Sequence, residues 1–177
     1  MSQHPTPFKK NWRVNVNSLS GLAPNERRKF ERESVMDELL TSGASVPDTA
    51  PITFTGSVDW VEGNRLVLTG NVHAPWTGEC RRCVGVAEGS IDIEVREIFE
   101  PKPTEGETYP LTGEVIDIEP MIREVIMLEL PVAVTCKEDC AGLCPNCGVN
   151  RNEVTCECVT EQVDIRWAGL DQFKTDN

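Results

Sequence analysis

The chain has 177 residues, a formal charge of −12, 39% hydrophobic residues and eight cysteines. That length suits one domain, or one domain with a small metal-stapled appendage, and the apolar content is enough for a core. The segment MSQHPTPFKKNW has no apolar stretch of signal-peptide length and no run approaches the roughly eighteen apolar residues of a membrane helix, so the expectation is a cytoplasmic chain.

In chain order, WRVNV at 12–16 alternates apolar and polar residues, which predicts a half-buried first strand. Residues 25–40, NERRKFERESVMDELL, predict a helix with Phe30, Val35, Met36, Leu39 and Leu40 partly on one face. TSGASVPDTAP at 41–51 is small, proline-containing and read as a loop. ITFTGSVDW and RLVLTGNVHA both alternate, and Glu62 to Asn64 between them supplies a hairpin turn. A second hairpin runs from about Asn71 toward Cys80 and from about Gly89 to Phe99, with GECRRCVG at the bend. Cys80 and Cys83 are therefore expected at the tip or edge of a sheet.

PKPTEGETYPLTGE at 101–114 reads as a polar loop. Asp117 then caps a helix of about 118–128 with Pro120 in its first turn. Met121, Ile122, Val125, Ile126 and Leu128 give it an apolar stripe, and Pro131 stops it before PVAVTC. These elements predict an α+β fold: a mainly antiparallel β-sheet with one or two packed helices and a C-terminal cysteine-rich zinc-knuckle segment. The expected divisions are a body at 1–135 with a flexible N-terminal tail, a metal-binding segment at 136–158, and a C-terminal tail at 159–177.

Cys136, Cys140, Cys144, Cys147, Cys156 and Cys158 crowd one short stretch. Thiolates are strong zinc ligands, and pairs spaced two to four residues apart supply four of them economically. Cys144 and Cys147 fit best: in CPNCG, Pro145 stiffens the turn and Gly148 takes the positive φ that lets backbone N–H groups face the sulfurs, a zinc knuckle in form. Cys156 with Cys158, or Cys136 with Cys140, can close that tetrahedron, and spacing does not choose between them. Cys80 and Cys83 can complete a second site with two of the downstream six, so one or two zinc ions are expected. Disulfides and buried free thiols are the plainer alternatives, and a reducing cytosol argues against the first. The CRRC pair, with Arg81 and Arg82 lowering a thiolate pKa, also admits a thiol redox protein or sensor, although no thioredoxin-like pattern surrounds it.

Residues 1–35 carry a net charge of +4 and residues 85–135 one of −9. Such an acidic body repels phosphate backbones and attracts basic proteins, which leaves RNA contact to the N-terminal segment and to Arg81 and Arg82, while simple solubility is the commoner meaning of such runs. Catalytic signatures are missing: there is no phosphate loop, GxSxG or HExxH, and His4 and His73 stand alone. Glu119, Glu124 and Glu129 read as a solvated helix face, and the four tryptophans as packing residues.

The blocks GECRRC, EIFEP, IDIEPMIREVIMLELPVAVTC and DCAGLCPNCGVNRNEVTCEC resemble the YceD family, the large ribosomal RNA subunit accumulation proteins. The resemblance implies a bacterial cytoplasmic factor, with plastid relatives, needed for synthesis, processing or stability of large-subunit (23S) ribosomal RNA, to which no reaction is attributed. It implies as partner a precursor ribosomal RNA or a basic large-subunit ribosomal protein, and for the cysteines a stapling role.

Overall fold

The computed structural model describes residues 11–16 and 27–158. The N-terminal tail, the first two residues of the helix expected at 25–40, Trp167 and the C-terminal tail lie outside them.

The described chain is built around one curled sheet. Its strands are β1 (Arg13–Asn15), β2 (Arg28–Ser34), β3 (Ala44–Ser45), β4 (Ile52–Val61), β5 (Arg65–Glu79), β6 (Val86–Glu100), β7 (Tyr109–Thr112) and β8 (Val115–Asp117), followed by one helix, α1 (Glu119–Glu129). The order across the sheet is β1-β8-β7-β6-β5-β4-β2, and β3 pairs off this path with β5. Every pairing is antiparallel except that of β6 with β7, where the chain leaves at Glu100 and returns parallel at Tyr109.

β4 and β5 are joined at Val61↔Arg65, with Gly63 and Asn64 at positive φ in the turn. β5 then runs on for 15 residues and serves as one arm of the next hairpin, meeting β6 from Leu66↔Phe99 to Glu79↔Val86. Alternation divides the faces: Phe54, Leu66, Leu68, Val72 and Phe99 are buried on the inner side, while Glu88, Asp92 and Glu94 are exposed on the outer one. His73 belongs to that outer face, where its Nδ1 lies 3.0 Å from Asp92 across the strand pair.

The expected helix at 25–40 is overturned. Residues 28–34 form β2 and pair with β4 from Arg28↔Val58 to Ser34↔Ile52. RKFERES reads as helix by propensity, but Phe30 and Ser34 turn inward and Lys29, Glu31 and Glu33 outward, a period of two. Phe30 packs on Phe54 with ring centroids 5.3 Å apart, a tertiary contact that outweighs local preference. Glu38, at φ 59°, interrupts any helix continuing toward Leu40. Two predicted loops also carry strand: β3 lies within 41–51 and β7 within 101–114.

In α1, Met121, Ile122 and Ile126 are buried against the sheet, whereas Leu128 is 77% exposed, outside the stripe assigned to it. Asp117 sits one residue before the N-cap, Ile118, and its Oδ1 still accepts the Glu119 N–H at 3.1 Å. The helix closes at Leu130, whose extended backbone (ψ 125°) is what a following proline requires.

Candidate metal centre

Two features bring distant cysteines together. The first is the β5–β6 bend, which starts at Cys80. The second is the segment after α1, drawn onto the end of β5 by a parallel bridge between Cys80 and Val134 and by the Arg81 N–H, which donates to the Val134 carbonyl at 3.0 Å. The strap at 41–45 holds that segment from the other side. Thr41 Oγ1 donates to the Pro131 carbonyl at 2.7 Å and Ser42 Oγ to that of Val132 at 3.2 Å. Gly43 is so close that a Cβ there would lie 2.4 Å from the Val132 oxygen.

The sulfurs fall into two sets of four. Cys80, Cys83, Cys136 and Cys140 form the first, Cys144, Cys147, Cys156 and Cys158 the second, and within each the Sγ atoms all lie within 4.8 Å of one another. All eight are free thiols. In the first set Cys80 Sγ is 3.8 Å from Cys140 and Cys83 Sγ is 3.6 Å from Cys136. A tetrahedral zinc with Zn–S bonds of about 2.3 Å requires sulfur–sulfur edges of about 3.8 Å, and these two distances match such an edge. Cys80, Cys83, Cys140 and Cys144 are buried, Cys136 and Cys147 exposed, and Cys156 and Cys158 half-buried. The pairs left open by spacing are thus divided: Cys136 and Cys140 stand with the upstream pair, Cys156 and Cys158 with Cys144 and Cys147. Cys156 and Cys158 arrive from an irregular segment.

The two CxxC turns share one backbone form, which sequence reading missed. In the second, the Cys144 N–H donates to the Val149 carbonyl and the Gly148 N–H to that of Cys144, both at 2.8 Å. In the first, the Cys80 N–H donates to the Gly85 carbonyl at 2.7 Å and the Val84 N–H to that of Cys80 at 2.8 Å. Gly148 has φ 74°, and Val84, in the matching position, has φ 62°. The resemblance was hidden because a β-branched residue occupies a place that favours glycine. Left-handed backbone costs such a residue about 1–2 kcal/mol, and glycine gives back part of this as chain entropy. Val84 is 56% exposed and packs little. Val84→Gly is therefore expected to raise Tm by about 2–4 °C in thermal denaturation.

Both turns aim N–H groups at sulfur. Burial pushes the Cys80 thiol up, but backbone N–H groups of Cys136, Arg82 and Cys83 outweigh it and hold the pKa at about 6. At Cys144 the N–H groups of Cys147 and Asn146 likewise bring it to about 6. Cys136, hydrogen-bonded to Cys140 and Cys83, and Cys158, hydrogen-bonded to Cys147, are pushed up to about 12. Each set without an ion thus keeps some protons on sulfur, and a dication must displace them, so affinity falls as pH falls.

Arg82 is drawn into this architecture. Its Nη1 donates to the carbonyls of Glu138 at 3.2 Å and Cys140 at 3.1 Å, so the guanidinium braces the loop that carries two sulfurs. Two of the helix carboxylates are engaged as well: Glu119 pairs with Arg123 at 3.5 Å, and Glu124 accepts the Tyr109 hydroxyl. Burial, with repulsion from Glu124, pushes the Glu97 carboxyl up.

The described residues define a curled, mostly β protein with one helix and two four-cysteine clusters able to hold metal. The chain belongs to the YceD family: the family model described as "Large ribosomal RNA subunit accumulation protein YceD" matches residues 68–174, a span that contains all eight cysteines. An uncharacterised protein of Mycobacterium tuberculosis is 37% identical over 119 residues, covering 59% of this chain and 54% of its own. The Arabidopsis thaliana protein named "Large ribosomal RNA subunit accumulation protein YCED homolog 1, chloroplastic" is 36% identical over 66 residues, 37% of this chain and 21% of its own. YlbN, an uncharacterised protein of Bacillus subtilis, is 22% identical over 155 residues, 85% of this chain and 90% of its own. The chain spans about half the length of the mycobacterial relatives it matches. No solved structure matches it.

Proposed function

We propose that this chain is a non-enzymatic, cytoplasmic factor that supports accumulation of large-subunit ribosomal RNA and carries two structural zinc ions, one in each cysteine set. The observation that carries the reading is the family match spanning all eight cysteines, since relatives in that family are named for this role. The zinc ions staple the β5–β6 bend to the segment after α1 and order the loops beyond it. Four free sulfurs per set, all within 4.8 Å of one another and with two edges of the first set at 3.6 and 3.8 Å, support ligation over a redox pair.

Of the two partners, a basic large-subunit ribosomal protein is favoured over precursor RNA. Residues 85–135 carry −9, Glu88, Asp92 and Glu94 of β6 are exposed on its outer face, and Arg82 is engaged with carbonyls of its own chain. Deleting the gene is expected to lower the ratio of large- to small-subunit ribosomal RNA. The intact chain should restore that ratio and a chain carrying Cys80→Ser and Cys83→Ser should not. An unchanged ratio after deletion contradicts the role.

A further inference from the structure

Three residues, Ala141 to Leu143, separate the last cysteine of the first set from the first cysteine of the second, and their backbone serves both sets. The Leu143 N–H donates to the Arg82 carbonyl in the first turn, and the Gly142 carbonyl accepts the Arg151 N–H from the second, each at 2.9 Å. A side chain also crosses the gap. Asn152 lies in the loop between Cys147 and Cys156, both of the second set, yet its Nδ2 donates to Cys140 Sγ in the first set at 3.3 Å. Its Oδ1 accepts the Ala141 N–H at 2.9 Å. A backbone N–H can only donate, so this bond decides which end of the amide is oxygen and leaves the NH2 end for sulfur. Asn150 holds the loop in shape: its Oδ1 accepts from the Asn152 N–H at 3.1 Å and from Asn152 Nδ2 at 2.8 Å, and its own Nδ2 donates to Glu153 at 2.7 Å.

We infer that the two metal sites are cooperative, with Asn152 as the positioning residue that carries order from the second site to the first. The inference rests on the proposal that both sets hold zinc. Four thiolates on one zinc leave a net charge of −2, and N–H donors to the sulfurs offset that excess. An ion in the second set ties Cys147 to Cys156 and so closes the loop that aims Asn152. Without that ion the loop ends part, the amide leaves Cys140, and the first site loses a donor. Because coupling between sites is reciprocal, an ion in the first set equally favours the second.

The test uses the full chain, zinc, a competing chelator of known affinity, and native mass spectrometry to count ions. Cys156→Ser with Cys158→Ser empties the second site and is expected to weaken zinc binding at the first by about 10-fold or more, the usual effect of losing an outer-shell partner. Asn152→Asp keeps the acceptor for Ala141 but removes the donor to sulfur. It should still hold two ions at saturating zinc, weaken the first site by about 10- to 100-fold, and leave no further loss when the second site is then emptied. In the cobalt(II) form, Asn152→Asp should move the sulfur-to-metal charge-transfer band to lower energy, because a thiolate without its donor gives up charge more readily. Two ions in the unaltered chain, with first-site affinity unchanged in both variants and the cobalt band unmoved in Asn152→Asp, would overturn the coupling and leave the zinc reading intact. No zinc in the unaltered chain would overturn both.

Discussion

Changing Cys80 and Cys83 to serine together is expected to remove one zinc ion and lower Tm by about 10 °C or more, as read by metal analysis and thermal denaturation. The size of the effect follows from where the first site lies. Its sulfurs join the end of the β5–β6 hairpin to the segment behind α1, contacts separated by 53 and 60 residues. Closing loops of that length is entropically costly, and the strap at 41–45, the Cys80–Val134 bridge and the hydrogen bonds that Arg82 makes with Glu138, Cys140 and Leu143 are individually weaker ties than a shared metal ion. The same change at Cys156 and Cys158 should cost less stability, because those sulfurs close a local loop, residues 148–155, and not a connection of more than fifty residues. Equal loss of Tm from the two pairs would contradict the stapling role given to the first.

Gly43→Ala should produce a second large loss through packing alone. The new Cβ would stand 2.4 Å from the Val132 oxygen, 2.5 Å from its carbonyl carbon and 2.8 Å from the Ala133 nitrogen, all backbone atoms with no rotamer to change. Either the strap or the segment after α1 must move, at an expected cost of about 1–3 kcal/mol in chemical denaturation. Since that segment leads directly to Cys136 and Cys140, zinc at the first site should also exchange faster with a chelator while the second is less affected. Unchanged stability would mean that the strap yields freely and does not position the cysteines.

Local signals in the sequence were strong where one period or one turn decides the structure. Alternation in 52–60 and 65–74, with Glu62 to Asn64 between, reads directly as the β4–β5 hairpin, and Pro120 and Pro131 bracket α1. In RKFERES the charged residues favour helix equally well, and only the partner strand β4 with Phe54 tips the balance. Tyr109 to Thr112, hidden among prolines and glutamates, becomes strand because β6 and β8 offer edges on either side. The CPNCG turn was legible from Pro145 and Gly148, whereas its counterpart at Cys80 was masked by Val84. The division of sulfurs was not legible, because Cys136 with Cys140 and Cys156 with Cys158 are both close in sequence to Cys144. Long-range packing of the segment after α1 on the end of β5 makes that choice.

Native mass spectrometry of the chain purified without added metal, before and after mild acid, tests the central claim most directly. Two zinc ions, both lost in acid with eight titratable thiols appearing, is the expected result. A metal-free protein whose mass is lowered by whole disulfides would contradict it and point to thiol redox chemistry.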